Sequence, residues 1–303
     1  MFSTRSSAAR LLICTVIALI LLKALVARLT GSISILAQAS DSVLDLISGI
    51  VTYSVMRISN KPADTRHPYG HGKVEDIGSL TQGVLIMVAG VVIIYSAIRR
   101  IQNGATIELA EAGIAVMFVS MVISIFLSRH LHKVARATDS MILEANACNI
   151  NADIYSASAV LIGLLIVRLT GLSYIDAVIA IGVSIYIMVT ACRVLYRSFS
   201  GLIDVKISPQ EEAIIMTTLA NHSEQIVGYH KLRTREAGGQ HYIDLHMVMN
   251  KDISLEHAHT VCDEVESEIK NGLSQASVTI HVEPCSGNCL QCVAICAKRQ
   301  GDG

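Results

Sequence analysis

Apolar residues run almost unbroken from Leu11 to Leu29, Ile33 to Met56 and Ile77 to Ile98. They return, with polar residues set among them, from Ala110 to Leu127, Ala145 to Val167 and Tyr174 to Leu195. A helix that crosses about 30 Å of hydrocarbon needs roughly 20 mostly apolar residues, so this pattern predicts six transmembrane helices. Beyond Ser200 the pattern shortens and mixes with charge. Ser208-Pro209-Gln210-Glu211 reads as a capping box with proline at the first helical position, which predicts a helix to about Asn221. Alternation predicts strands over Ile226 to Arg233 and His241 to Met249, Ser254 starts a helix to about Lys270, and Ser277 to Glu283 reads as a last strand. The expected fold is therefore an all-α six-helix transmembrane bundle plus an α+β domain of order α-β-β-α-β, with a helix-covered three-stranded sheet. The boundaries fall at 1–200 for the bundle, 201–284 for the soluble domain and 285–303 for a cysteine-rich tail.

Composition and charge sharpen this picture. Hydrophobic residues make up 52% of the 303 and charged residues 16%, and the mean hydropathy is +0.52. A net charge of -1 gives no basic surface for neutralising phosphates, which excludes nucleic acid as a partner. With the N-terminus inside, the inner segments collect Arg5, Arg10, Arg57, Lys61, Arg66, Lys73, Arg129, Lys133, Arg136, Arg193 and Arg197, against Arg28, Arg99, Arg100 and Arg168 outside. That bias places both termini in the cytoplasm of a multi-pass inner (plasma) membrane protein whose partner is the lipid bilayer. Disulfides are not expected in a cytoplasmic domain.

The informative polar residues lie inside the apolar blocks. Asp41 and Asp45 are four apart in the second span, so helical periodicity stacks both carboxylates on one face. The fifth span repeats the spacing with Asn149 and Asp153, and Asn146 lies on the same stripe. Three such aspartates cost on the order of 8–10 kcal/mol at the bilayer centre if nothing compensates them. The second and fifth spans hold no basic residue at that depth, so the compensating charge is a cation, protons, or both in turn. An intramembrane aspartyl protease also uses two membrane aspartates, but the sequence has neither G-x-G-D nor Y-D.

Gly31-Ser-Ile-Ser-Ile-Leu-Ala37 leads into Asp41-x-x-x-Asp45, and Lys61-Pro-Ala-Asp64-x-x-His67-Pro-Tyr-Gly-His71-Gly-Lys73-x-Glu75 follows. On these motifs the chain resembles the cation diffusion facilitator family, nearest to bacterial iron, zinc and manganese efflux proteins and their magnetosome relatives, over about Ala9 to Cys285. The resemblance implies a homodimeric divalent metal cation:proton antiporter, not an enzyme, with a copper-chaperone-like cytoplasmic domain. It implies no permanent cofactor, with Mn²⁺, Fe²⁺ or Zn²⁺ as substrate and regulator. The alternative of the same fold is a metal-sensing or assembly scaffold with little transport.

By the same resemblance, Asp41, Asp45, Asn149 and Asp153 form the transport site. Zinc-moving members have His at the place of Asn149. An amide oxygen there gives an all-oxygen donor set, which suits harder cations such as Mn²⁺ and Fe²⁺. Asp64, His67 and His71 suit a borderline metal in the loop between the second and third spans. The resemblance makes that loop a regulatory or capture site, and gives Lys73 and Asp204 as a charge interlock between protomers. It also makes His230, His246, His259, His281 and Glu283 the candidates for a binuclear site at the dimer interface. His222, His241 and His257 match nothing in the family and are expected on the surface. Cys285, Cys289, Cys292 and Cys296 offer four thiols whose role is open between metal binding and reduced tail thiols.

Overall fold

The computed structural model describes residues 4–30, 33–103, 111–170, 174–273 and 275–285. Six long helices come first: α1 (Arg5–Thr30), α2 (Ile33–Ser59), α3 (Lys73–Asn103), α4 (Glu111–Thr138), α5 (Met141–Thr170) and α6 (Tyr174–Leu202). Among the described residues, five of them are long and apolar enough to cross a membrane by length and composition. The chain divides into two compact units, 1–199 and 200–303.

Within the first unit, α1, α2, α4 and α5 share a core built from Leu12 and Val16, Met56, Leu127 and Leu131, and Ile142 and Leu143. A smaller cluster joins Ile86 of α3 to Ile187 and Ala191 of α6. Lipid gives no hydrophobic drive for helices to associate, so close approach through small residues and interhelical hydrogen bonds carry the packing. Gly83 and Gly90, seven apart on α3, supply the first device. A Cβ on Gly83 would stand 2.8 Å from Leu195 Cδ2, and one on Gly90 2.6 Å from Met188 Cγ. Ser184 Oγ donates to the Gly90 carbonyl at 2.6 Å. Between α4 and α5 the second device appears, where Ser128 Oγ donates to Asn151 Oδ1 at 2.6 Å and Asn151 Nδ2 lies 3.0 Å from His132 Nε2. Large apolar residues such as Leu21, Leu25, Val88, Val92, Val178 and Ile185 remain exposed, as a face turned to lipid requires.

The second unit has α7 (Pro209–Asn221), β1 (Gly228–Ala237), β2 (Gln240–Met249), α8 (Leu255–Gly272) and β3 (Ala276–Pro284), the expected order. The Ser208–Glu211 capping box forms at α7, and Ser254 caps α8 by accepting from the His257 N–H. In the sheet, of order β1-β2-β3, β1 and β2 are antiparallel and β2 and β3 parallel. Ile243, Leu245, Met247 and Met249 of β2 point to a core shared with Ile215 and Leu219 of α7 and Val261, Val265 and Ile269 of α8. The intervening residues Tyr242, Asp244 and His246 occupy the other face, because successive strand side chains alternate.

Two histidines expected on the surface are not there. His241 is 3% exposed, since it shares the strand parity of Ile243 and Leu245, and its Nε2 sits 3.1 Å from Glu211 Oε1. His222 ends α7 with Nδ1 3.0 Å from the Thr218 carbonyl oxygen, its ring tucked toward Glu264 and Glu268 of α8. His257 is exposed, as expected.

Candidate metal sites

On α2 the polar residues continue past the aspartates: Asp41, Asp45, Ser48 and Thr52 step by four, three and four, which keeps them on one helical stripe. On α5 the corresponding stripe is Asn146, Asn149 and Asp153. These stripes meet where the buried Asn146 donates through Nδ2 to Thr52 Oγ1 at 3.0 Å and to Ser48 Oγ at 3.2 Å. From α3, Gln82 completes the junction, its Nε2 2.7 Å from Ser48 Oγ. All four of these polar residues are buried.

That junction fixes the register of the two helices. Val55 of α2 and Ile142 of α5 both pack about Gly78, one step further along, so α2 and α5 run antiparallel. With Asn146 level with the middle of the Ser48–Thr52 turn, Asn149 falls near the level of Asp45, and Asp153 falls between Asp45 and Asp41. At about 1.5 Å per residue, the four positions span about 9 Å along the bundle. Asp45 and Asn149 are half-buried and Asp153 is exposed in the single chain. Asp41 lies within α2, with its side chain outside the described residues. Lys23 of α1 donates to Ser42 Oγ at 2.7 Å, so a neighbouring helix does bring a cation to this depth. Ser48, Thr52 and Gln82 did not stand out in the sequence, although Ser48 and Thr52 extend the aspartate stripe at helical spacing and Gln82 interrupts an apolar span.

In the α2–α3 loop, Asp64 Oδ1 accepts from the backbone N–H of His67 at 2.7 Å and of Arg66 at 2.9 Å, a local turn that a short acidic side chain makes readily. The His67 bond leads in holding the Asp64 carboxyl below its ordinary range. Gly70 turns the chain at φ +80°, which brings His71 back with Nε2 3.6 Å from Asp64 Oδ2, while His67 Nδ1 is 3.4 Å from Oδ1. One donor atom from each of the three lies within 4.8 Å of the others. One carboxylate and two imidazoles at that spacing fit a borderline divalent metal.

The soluble domain places His230, His246 and His281 side by side across three strands, since the register pairs His230 with His246 and His246 with His281. Glu283, two residues along β3 on the same face, reaches all three: Oε2 is 3.2 Å from His230 Nε2, and Oε1 is 2.6 Å from His246 Nδ1 and 3.8 Å from His281 Nε2. The His246 contact leads in holding the Glu283 carboxyl below its ordinary range. The group of His230, His246 and Glu283 has donor atoms within 4.8 Å of one another. His259 stands elsewhere, exposed on α8 with Nε2 3.8 Å from Asp263 Oδ2. Asp204 is bonded by Arg235 Nη1 at 3.2 Å. Cys285 is half-buried, whereas Cys289, Cys292 and Cys296 lie outside the described residues.

Comparison with known proteins identifies the family of both domains. Residues 9–203 match the cation efflux transmembrane domain, and residues 207–285 the cytoplasmic domain of cation efflux proteins. The chain is similar to the cation-efflux pump FieF of Klebsiella pneumoniae subsp. pneumoniae, 31% identical over 89% of either chain. The FieF of Salmonella agona is 32% identical, again over 89% of each, and that of Shewanella oneidensis is 30% identical over 91% of this chain and 93% of its own. Six long helices and a small sheet domain carrying a histidine–glutamate cluster thus correspond to the two domains of a membrane transporter, and the chain belongs to the cation efflux family.

Proposed function

We propose that the protein is a divalent metal cation:proton antiporter that exports Mn²⁺ or Fe²⁺, with Zn²⁺ as a further substrate, from the cytoplasm across the inner membrane as a homodimer with both termini inside. The observation that supports this reading is the Asn146 junction, where the stripe that carries Asp41 and Asp45 on α2 meets, through Ser48 and Thr52, the stripe that carries Asn149 and Asp153 on α5. Three carboxylates around one ion bind it when deprotonated and release it when protons arrive from the outside, so the same groups carry cargo and counter-cargo in turn. Asn149 keeps its charge constant through that cycle and contributes an amide oxygen, which favours a hard cation over Zn²⁺. Asp64, His67 and His71 collect or sense metal near the membrane. His230, His246, His281 and Glu283 bind cytosolic metal at the dimer interface and bias the transporter toward turnover.

Flux of Mn²⁺, Fe²⁺ and Zn²⁺ into proteoliposomes under an imposed pH gradient tests this reading. Asp45→Ala and Asp153→Ala should abolish uptake, and retained transport in either would refute the assignment of the site. Asn149→His should move the preference toward Zn²⁺. Metal binding by the native chain with no flux of any of the three ions would favour the sensing scaffold.

A further inference from the structure

The sequence motif ends at Glu75, a residue whose role neither the α2–α5 stripes nor the loop cluster accounts for. It lies in the first turn of α3 and is 0% exposed, as is its neighbour Asp76. A buried carboxylate is retained only where partners compensate its desolvation. Glu75 has three such partners, each from a different segment. Arg5 Nη1 at the start of α1 donates to Oε2 at 3.1 Å. Ser140 Oγ, in the turn between α4 and α5, donates to Oε1, and the Ile142 backbone N–H donates to the same oxygen at 3.3 Å. Arg5 also donates through Nη2 to the Thr138 carbonyl at the end of α4. One ion pair therefore joins the ends of α1, α3, α4 and α5.

The contact with Ile142 is a helix cap supplied by another helix. Ile142 is the second residue of α5, and a carboxylate there satisfies an otherwise unpaired N–H and faces the positive end of the helix dipole. Asn149 lies seven residues further, about two turns or 10 Å up the same helix. A helix is stiff over that distance, so whatever fixes its first turn also sets the height and rotation of Asn149 and Asp153 against α2.

We propose that Glu75, held by Arg5, is a positioning residue for transport: its carboxylate seats the N-terminus of α5 and thereby sets where Asn149 and Asp153 stand opposite Asp45. The inference rests on the assignment of the transport site given above. Loss of the seat leaves the metal ligands present but misplaced, so the affinity for transported ion falls. Loss of folded protein would instead lower maximal flux at unchanged KM.

The test is Mn²⁺ flux by the full chain in proteoliposomes, with KM and maximal rate measured separately and normalised to monodisperse protein. Glu75→Gln keeps shape and one acceptor but removes the charge, and should raise KM by about 10–100-fold, the range seen when groups supporting metal ligands are removed. Arg5→Gln should raise KM less, because Ser140 and Ile142 still hold the carboxylate. The double exchange Arg5→Glu with Glu75→Arg should not restore KM, since a guanidinium faces the α5 dipole with the wrong sign. Ser140→Ala, which spares the ion pair, gives the same readout if Glu75→Gln fails to fold, and should raise KM several-fold. An unchanged KM in the folded variants, or full recovery in the double exchange, would overturn the proposal. Asp45→Asn serves as the separate control: if it transports normally, the site assignment fails, whereas its inactivity together with an unchanged KM in Glu75→Gln sinks the positioning role alone.

Discussion

His246 and Glu283 meet across the parallel strands β2 and β3, with Nδ1 2.6 Å from Oε1, although Glu283 pairs in backbone register with Val248 rather than with His246. The longer glutamate side chain reaches back along the strand and collects His230 and His281 as well. One carboxylate shared by three imidazoles makes Glu283 the residue on which the cluster depends. Zn²⁺ titration of the full chain by equilibrium dialysis should show a larger loss of tightly bound metal for Glu283→Ala than for His259→Ala, whose imidazole instead faces Asp263. Equal losses would show that the sheet face is not the centre of that site.

Asn146 joins α5 to α2 through two buried hydrogen bonds. Replacement by Leu fills a similar volume but leaves the hydroxyls of Ser48 and Thr52 without its two donated bonds. Interhelical bonds in membranes contribute about 0.6–2 kcal/mol, so Asn146→Leu should lower stability to unfolding in detergent by about 1–2 kcal/mol. It should also weaken transport more than that loss explains, because the register of α2 and α5 is released.

Lys23 brings a positive charge beside Ser42, next to Asp41 and one turn from Asp45. Ammonium and metal compete for the same field, and a charge a few ångströms away in a medium of intermediate dielectric is worth a few kcal/mol. Lys23→Met should therefore lower the KM for Mn²⁺, by about tenfold or more, and slow its release to the outer side. A raised KM would show that the ammonium supports the ligands instead.

Glu211 ties the Ser208 cap of α7, through its backbone and hydroxyl, to the buried His241. Burial pushes its carboxyl up, but the Ser208 hydroxyl and N–H together with the His241 imidazole outweigh this and hold it below the ordinary glutamate value. A carboxyl depressed by folding adds stability above its unfolded value, ordinarily about 4.3, and the gain is lost as pH falls through the folded value. The melting of the soluble domain should thus lose stability on acidification below about pH 4.5, and Glu211→Gln should flatten that part of the profile. Ser208→Ala should cost about 1 kcal/mol at neutral pH.

Much of this protein is legible in one dimension. Long apolar blocks specify membrane helices because backbone polar groups in lipid have no alternative partner. The α-β-β-α-β order follows from caps and alternation that act within a few residues. Parity on a strand even contained the answer for His241, which steps in twos with Ile243 and Leu245, although its polarity suggested the surface. The loop cluster was equally readable, since Asp64, His67 and His71 are close in sequence and a single turn at Gly70 gathers them.

What a sequence cannot set is the register between segments far apart in the chain. Periodicity put Asp41 and Asp45 on one stripe and Asn149 and Asp153 on another, but it carried no information on whether the stripes face each other. Asn146, Ser48, Thr52 and Gln82, from three helices, show where the two stripes meet. The same holds for Lys23 against Ser42, for Glu75 seating the start of α5, and for His230 beside His246 and His281. Local structure follows from backbone preferences and solvent and is fixed residue by residue. The juxtaposition of charges across helices and strands follows from packing, a property of the whole chain that appears only when distant side chains compete for the same buried partners.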